Sequence, residues 1–233
     1  MRNTTPLQRR EYVLANWDRY LGYLAEIVNS PYGPISMMEF ACISANTAME
    51  GAIRGWMAIR DLISVTDIAE TLQFWGVNAP YKKAAYVVGI RQLPTELLPH
   101  PNRGDWRKQR ETNVPLILGI GYAKYSFAAC LSYPLDSKIV CLDTIMAQTL
   151  TGRIPDNSLY AATQKAHQEY ERLENILLDE ASKIGFPVFG FQWGVWDLTR
   201  KLVYGRPTEK HDFLWRKGPE HMQMVMNGLR TLD

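Results

Sequence analysis

Apolar residues recur every three to four positions along most of this chain, which is the spacing of one face of an α-helix. The first such segment is ended by Pro31 and Gly33, and its apolar positions are Val13, Trp17, Tyr20, Leu24 and Ile27. The longest segment covers residues 157–184 and is followed by Gly185, a residue type that commonly terminates helices. Its apolar face consists of Ala166, Tyr170, Leu173, Leu177, Ala181 and Ile184. Both segments are predicted to be amphipathic helices.

Residues that favour helix ends mark out further, shorter helices. Thr47 and Glu50 have the spacing of an N-terminal capping box, so a helix is predicted to start there and Asn46 to lie at the break before it. Thr66 is predicted to cap another helix, and Pro80 to open the next one. The additional helices are predicted over residues 36–45, 66–76, 80–91, 189–203 and 218–232.

Two stretches are not predicted to be helical. Residues 92–108 are rich in proline and charge, which is typical of a loop or short turns. Residues 114–118 are the best candidate for a strand, but Pro115 could not donate the hydrogen bond that a central strand needs. The prediction is therefore an all-α fold, one unit over residues 1–233 with two helical lobes. The central lobe is placed at about residues 34–118, and the second at about residues 1–33 plus 119–233.

Composition narrows the class of protein only in part. Hydrophobic residues make up 46% and charged residues 21% of the chain, which is ordinary for a globular domain. The net charge of +2 neither requires nor excludes nucleic acid, since a local basic surface would be sufficient. Cys42, Cys130 and Cys141 form no C-x-x-C pair, which indicates a reducing compartment and argues against disulfides and an iron–sulfur cluster. Neither an apolar run of membrane-spanning length nor a signal-peptide core is found in the sequence.

The segment Leu118–Gly121, Leu-Gly-Ile-Gly, has three interpretations. A dinucleotide-binding fingerprint would need a preceding parallel strand and a third glycine, and Lys124 occupies that third position. In a plain corner between two helices, Gly119 and Gly121 would serve only as turn residues. In a helix-hairpin-helix, the backbone amides of Gly119, Ile120 and Gly121 would hold a DNA phosphate together with the dipole of the following helix.

Three segments in a fixed order carry a resemblance to a known family. Residues 40–47 resemble a helix that ends in Leu-Ser-x-Gln/Asn-x, and residues 76–84 resemble a Gly-x-x-x-x-Lys-Ala segment before a helix. Residues 118–146 resemble a hairpin followed about twenty residues later by an aspartate that opens a helix. Over roughly residues 36–152 the chain resembles the helix-hairpin-helix (HhH-GPD) superfamily of DNA glycosylases, which includes the endonuclease III, adenine glycosylase and 8-oxoguanine glycosylase groups. The resemblance implies a two-lobed, all-α glycosylase-like fold.

The resemblance also implies functional residues. Asp143 would be the catalytic carboxylate, which stabilises the positive charge that a departing base leaves on the sugar and orients or activates water. Asn46 would enter the gap left by a flipped base. Lys82, Lys83 and Lys124 would attract phosphates. The residue types alone leave alternatives open: a helix cap for Asp143, a turn residue for Asn46, and solvated surface lysines.

Two positions depart from the family pattern. Lyase-active members carry a lysine two residues after the second hairpin glycine, and here that residue is Ala123. Lys124 comes one residue later, about 100° around the helix. Ile145 replaces the histidine that follows Asp-Thr in the family. Without a lysine that can form a Schiff base, strand cleavage by β-elimination is not expected.

Two other groups of residues have both a functional and a structural interpretation. His167, Glu171 and Glu174 share one helix face and are interpreted either as a metal site or, preferably, as a solvated salt-bridging surface. The aromatic run from Phe189 to Trp196 is interpreted either as the wall of a base pocket or, preferably, as core.

The favoured functional hypothesis is a monofunctional DNA glycosylase that hydrolyses the N-glycosidic bond of a damaged or modified base. The first alternative is a phage-type thymine-hypermodifying enzyme on the same fold, a pyrophosphorylase or an amino acid:DNA transferase. The second is a non-catalytic DNA-binding module. Double-stranded DNA is the expected partner of a monomer, with no membrane association, no metal site and at most a monovalent cation at the hairpin. The expected location is the cytoplasm of a prokaryotic or phage-infected cell, in association with the nucleoid.

Overall fold

The computed structural model describes residues 4–153 and 157–203, and within these ranges the regular elements are all helical. The α-helices are α1 (Pro6–Ala15), α2 (Trp17–Val28), α3 (Pro34–Ser44), α4 (Met49–Ala58), α5 (Val65–Phe74), α6 (Pro80–Arg91), α7 (Trp106–Asn113), α8 (Tyr122–Ser132), α9 (Thr144–Thr151), α10 (Gln164–Lys183) and α11 (Val188–Val203). Short 3-10 helices cover Thr95–Leu97, Val114–Leu116 and Asn157–Tyr160. The all-α prediction is confirmed. The helix predicted over residues 218–232 lies outside the described residues.

Two helices act as centres around which the others pack. Helix α3 contacts α4, α6 and α8, and α5 lies against α6. Helix α11 contacts α1, α2, α9 and α10. Helix α8 joins the two groups because it also contacts α2 and α7. The lobe boundary placed near residue 118 stays a prediction. Within the described ranges, no helix is both long and apolar enough to cross a membrane.

The first predicted helix is in fact two helices, α1 and α2, separated at Asn16. The Asn16 side chain donates a hydrogen bond to the Tyr12 carbonyl (2.8 Å), so it competes with the backbone for that acceptor. The apolar spacing is nevertheless that of a buried face, since Val13, Tyr20 and Leu24 are fully buried. The capping box at this end of the chain is formed by Thr5 and Gln8, before α1.

Two predicted helix caps are wrong by one or two residues. Helix α4 begins after Ala48, and the capping box expected from Thr47 and Glu50 does not form. The Thr47 hydroxyl instead accepts hydrogen bonds from the Asn78 backbone N–H (3.3 Å) and from a lysine side chain described below. Helix α5 is capped by Ser64, whose hydroxyl accepts from the Asp67 N–H, and Thr66 lies inside the helix.

The regions predicted to be irregular contain some helix. Asp105 accepts hydrogen bonds from the N–H groups of Arg107 and Lys108, so α7 starts at Trp106 within the predicted 92–108 loop. Residues 114–118 form no strand, as expected from the missing N–H of Pro115. Val114–Leu116 is instead a short 3-10 helix. The long helix α10 starts at Gln164, with Thr163 as its cap, rather than at residue 157.

Candidate active site

A cleft of about 610 Å³ lies between the C-terminal end of α3, the N-terminal ends of α8 and α9, and one face of α11. Four of the predicted site residues line it together: Asn46, Gly121, Lys124 and Asp143. Its other walls include Tyr122, Ala123, Phe127, Cys141, Ile145, Tyr160, Gln192, Trp193 and Trp196. The fold therefore brings the hairpin, the α3–α4 turn and the aspartate to one concave surface.

Asp143 is both a helix cap and a wall of the cleft. Its Oδ1 accepts a hydrogen bond from the Met146 backbone N–H (2.8 Å), which satisfies an otherwise unpaired amide at the start of α9. Its Oδ2 accepts from the indole Nε1–H of Trp196 (3.0 Å). The carboxylate is half-buried and lines the cleft. The two interpretations of Asp143 that the sequence left open are thus compatible in this geometry.

The irregular segment before Asp143, residues 139–142, is held by buried side chains instead of by backbone pairing. The Tyr170 hydroxyl donates to the Val140 carbonyl (2.9 Å) and accepts from the Leu142 N–H (2.9 Å). A carboxylate oxygen of Glu174 accepts from the Val140 N–H (2.7 Å). Because these backbone groups are buried and paired, the segment has a defined path into Asp143.

Glu174 belongs to a buried ion pair, so the solvated surface expected for this face of α10 is wrong at this residue. Both Glu174 and Arg110 are fully buried, and the guanidinium bonds the two carboxylate oxygens at 2.8 and 3.1 Å. The rings of Tyr122 and Tyr170 lie 4.7 and 4.8 Å from the Arg110 guanidinium carbon. The carboxylate and the two aromatic rings together offset part of the cost of burying the Arg110 charge.

His167 is likewise engaged within the protein. Its imidazole stacks on the Tyr122 ring at 4.1 Å between centroids, and its Nδ1 lies 2.9 Å from the Tyr122 hydroxyl. Burial lowers the pKa of His167 below its usual value. Over the described part of the chain, no group of three His, Cys, Asp or Glu side chains could hold a metal ion.

The hairpin between the 3-10 helix Val114–Leu116 and α8 requires glycine at position 119 for two reasons. Its φ is +81°, a left-handed backbone conformation that other residues rarely adopt. A Cβ at this position would also lie 2.3 Å from the ring of Tyr86. Ile120 is buried in the core, and Gly121 is the N-cap position of α8 without a capping side chain. Of the three hairpin residues, Gly121 lines the cleft, whereas Gly119 and Ile120 are not part of its lining, so the cleft adjoins the hairpin at the start of α8.

Two lysines flank Tyr86 next to this hairpin. The ammonium of Lys124 donates to the Gly119 carbonyl (2.6 Å), and its Nζ lies 5.8 Å from the Tyr86 ring centroid. Lys82 is exposed, and its Nζ also lies 5.8 Å from that centroid. Lys124 thus braces the hairpin, and the two ammonium groups form a local basic surface beside it.

Lys83 does not occupy the position predicted for it. It is 6% exposed, and its ammonium donates to the carbonyls of Ile43 (2.7 Å) and Ala45 (2.5 Å) and to the Thr47 hydroxyl (2.8 Å). Burial lowers the pKa of Lys83 to about 8. These three acceptors use the three donors of the ammonium group, which leaves none for the phosphate contact expected of Lys83. The side chain instead satisfies carbonyl groups at the C-terminal end of α3.

Asn46 lies directly in the turn that Lys83 holds. Its φ is +53°, and the side chain is exposed at the mouth of the cleft. Asparagine tolerates this left-handed conformation better than most residues. Asn46 is therefore both a turn residue and an exposed residue of the cleft. Asp143 likewise has a structural position and a place on the cleft wall.

One face of α11 forms the aromatic wall of the cleft. Gln192, Trp193 and Trp196 line it, whereas Phe189 and Phe191 are fully buried, so the aromatic run contributes both to a cleft wall and to the core. Gln192 was not singled out from the sequence, although it is the one polar residue between Phe189 and Trp196.

The orientation of the Gln192 amide follows from its hydrogen bond. Its Oε1 accepts from the Cys141 backbone N–H (2.9 Å). The amide nitrogen therefore points away from Cys141. Within the described residues that nitrogen has no hydrogen-bond partner, and Gln192 is 5% exposed. An amide donor on a cleft wall is available to a ligand.

Comparison with known proteins identifies the fold. No family model matches the sequence, and no curated protein matches it. The 8-oxoguanine DNA glycosylase of Thermotoga maritima has the same architecture, with a TM-score of 0.65 and 19% identity over 83% of this chain and 94% of that chain. The Methanocaldococcus jannaschii 8-oxoguanine glycosylase/lyase, solved with a 15mer DNA containing 8-oxoguanine, gives a TM-score of 0.67 and 19% identity over 86% and 99%. At these identities the similarity establishes a shared helical fold.

Proposed function

We propose that this protein is a monofunctional DNA glycosylase that hydrolyses the N-glycosidic bond of a damaged or modified base turned out of the duplex, with Asp143 as the catalytic carboxylate. The observation that carries this proposal is the cleft itself. Asp143, the hairpin glycine Gly121 and the Asn46 turn share one concave surface, on a fold found in 8-oxoguanine DNA glycosylases.

The residues of the cleft suit each part of this reaction. Backbone amides at the hairpin would hold a phosphate, and Asn46 would enter the space left in the base stack. Phe127, Trp193 and Trp196 offer aromatic faces on which a base can stack. As the bond to the base breaks, positive charge develops on the sugar, and the Asp143 carboxylate would stabilise it while water adds to the sugar carbon.

The products expected are a free base and an intact strand with an abasic site. Ala123 lines the cleft where a lyase would carry its lysine, and the Lys124 ammonium is bonded to the Gly119 carbonyl. Ala123 has no amine, and the amine of Lys124 is engaged with the hairpin. Strand cleavage through a Schiff base is therefore not expected.

The test uses duplexes that carry deaminated, oxidised or 5-substituted bases, followed by alkali to cut any abasic sites. Asp143→Asn should lower the single-turnover rate about 100-fold or more, the size typical for removal of a group that stabilises transition-state charge. Because Asn is as good an N-cap as Asp, the variant should keep the cap of α9 and stay folded, although its amide nitrogen cannot accept the hydrogen bond from Trp196. The absence of alkali-labile sites on every duplex, with wild-type protein, would refute the proposal.

A second candidate function is a transfer reaction at an activated 5-substituent of thymine in DNA. It is supported by Ala123 and Ile145, which line the cleft where a glycosylase of the resembled family would carry lysine and histidine. Incubation with 5-pyrophosphorylated hydroxymethyl-DNA and amino acids, followed by mass spectrometry of the nucleosides, distinguishes the two. A modified thymidine would identify a transferase, and a free base would identify a glycosylase. If neither product forms and Asp143→Asn changes only stability, the protein is a DNA-binding module.

A further inference from the structure

We propose that Trp196 is a positioning residue for this reaction, and that its indole N–H holds the Asp143 carboxylate in its working orientation from within the wall of the base cleft. The inference rests on the proposed function and adds to it a residue that the sequence motifs do not mark. It also predicts a physical coupling between the surface on which a base would stack and the carboxylate that would stabilise the sugar.

The geometry of Asp143 explains why a second donor is needed. The hydrogen bond from the Met146 N–H to Oδ1 fixes one oxygen to the start of α9. With that contact alone, the carboxylate could still rotate about its Cβ–Cγ bond, since this torsion has a broad energy minimum. The Trp196 Nε1–H, which comes from α11, fixes Oδ2 at 3.0 Å. Two donors, one on each of two helices, thus hold the two oxygens and define the plane of the carboxylate.

Trp196 is well placed to transmit an effect of the ligand. It is half-buried, it lines the cleft, and its ring packs against Trp193 with 5.7 Å between centroids. A base seated on this aromatic wall would restrict movement of the indole, and the indole N–H would restrict the carboxylate in turn. Orientation within a few tenths of an ångström matters for a group that stabilises developing charge.

The chain contains a matched control for the N–H group. Trp193 lies on the same face of α11 and lines the same cleft, but its Nε1 is buried without a hydrogen-bond partner within the described residues. Substitution of either tryptophan by phenylalanine removes an indole N–H and part of the ring. Only Trp196→Phe also removes a hydrogen bond to Asp143.

The experiment measures how much more tightly the protein binds a duplex with a positive charge at the sugar position than a duplex without it. Two duplexes are compared by equilibrium binding: one with a pyrrolidine abasic analogue, whose ring nitrogen is protonated, and one with the neutral tetrahydrofuran analogue. Wild-type protein should bind the charged analogue more tightly, and Asp143→Asn should abolish the preference. Trp196→Phe should reduce the preference about tenfold, the size expected when one hydrogen bond to a charged group is lost. Trp193→Phe should leave the ratio of the two affinities unchanged, even if it weakens binding of the charged and the neutral analogue alike.

The outcomes separate the inference from the function on which it rests. If wild-type protein shows no preference for the charged analogue, the proposed function itself fails. If wild-type protein discriminates and Trp196→Phe discriminates equally well, or if both phenylalanine variants lose the preference alike, the role of the Trp196 N–H is overturned. Should Trp196→Phe not fold, site-specific replacement of Trp196 by β-(3-benzothienyl)alanine keeps the bicyclic ring and exchanges the N–H for sulfur. The same loss of preference is expected, and its retention would overturn the inference.

Discussion

Asp143 shows how one side chain can serve stability and a site at the same time. Its Oδ1 caps α9, and its Oδ2 is held by Trp196 at the wall of the cleft. A carboxylate has about four lone-pair positions, so its two oxygens can accept from different donors at the same time. An aspartate before a helix therefore need not be assigned to capping or to function, because the two uses engage different oxygen atoms.

Gln192 permits a prediction about base selection. Its amide nitrogen is a donor on the cleft wall, and the Cys141 N–H fixes that orientation. Gln192→Glu would exchange this donor for an acceptor while the other oxygen still accepts from Cys141. Single-turnover rates should fall about tenfold or more on bases that present a carbonyl oxygen to the wall, since a favourable hydrogen bond becomes a repulsive contact.

The control for this prediction is Gln73→Glu, an exposed position on α5. It makes the same chemical change away from the cleft and should leave all rates unaltered. An unchanged order of preference among bases in Gln192→Glu would show that Gln192 does not contact the base.

At the scale of elements, the α3–α4 turn is held by long-range contacts that override a local capping signal. Thr47 was predicted to pair with Glu50 at the start of α4, but its hydroxyl accepts from Lys83 and from the Asn78 N–H. Lys83 lies on α6, which packs against α3, so its ammonium reaches the carbonyls that end α3. The turn that presents Asn46 is therefore determined by the contact of α6 with α3.

Neighbouring lysines on α6 allow a direct test of this assignment. Lys83→Met should lower the free energy of unfolding by about 1–3 kcal/mol, because buried carbonyl groups lose their donor. Lys82→Met should lower it by less than about 0.5 kcal/mol, since Lys82 is exposed. Urea denaturation of the two variants and wild type measures both values. Equal effects would contradict the structural role of Lys83.

At the scale of the molecule, a nearly balanced overall charge accompanies a pair of lysines beside the hairpin. The net charge is only +2, yet the ammonium groups of Lys82 and Lys124 both lie near the Tyr86 ring next to the hairpin. Non-specific attraction of DNA by the whole protein should accordingly be weak.

The corresponding prediction concerns the salt dependence of binding. Lys82→Ala should reduce the slope of log affinity against log salt concentration by about 0.9, the value for one lost phosphate contact. Lys183→Ala should leave the slope as it is, because Lys183 is paired with Asp179 at the end of α10 and does not line the cleft. Fluorescence anisotropy with a labelled duplex over a salt series measures both slopes. Parallel lines for wild type and Lys82→Ala would contradict a phosphate contact.

Much of the architecture was predictable from local patterns. The buried faces that include Tyr20, Leu24, Tyr170 and Leu177 follow the helical period, and Pro80 marks the start of α6 as expected. The errors lie at helix ends: Asn16 splits one predicted helix, and Ser64 replaces Thr66 as a cap. Several side chains near each end can accept the same backbone amides, so the local sequence does not decide which one does.

The sequence by itself determined the all-α class, the Gly-x-Gly hairpin and the position of Asp143 at the start of a helix, because periodicity, left-handed glycine and capping are properties of short segments. Only the tertiary structure decided that Lys83 serves the interior, that Gln192 presents a donor and that Trp196 holds Asp143. Those contacts join residues 36 to 53 positions apart in the chain. They exist because whole helices pack together, and no local pattern specifies which side chains then meet.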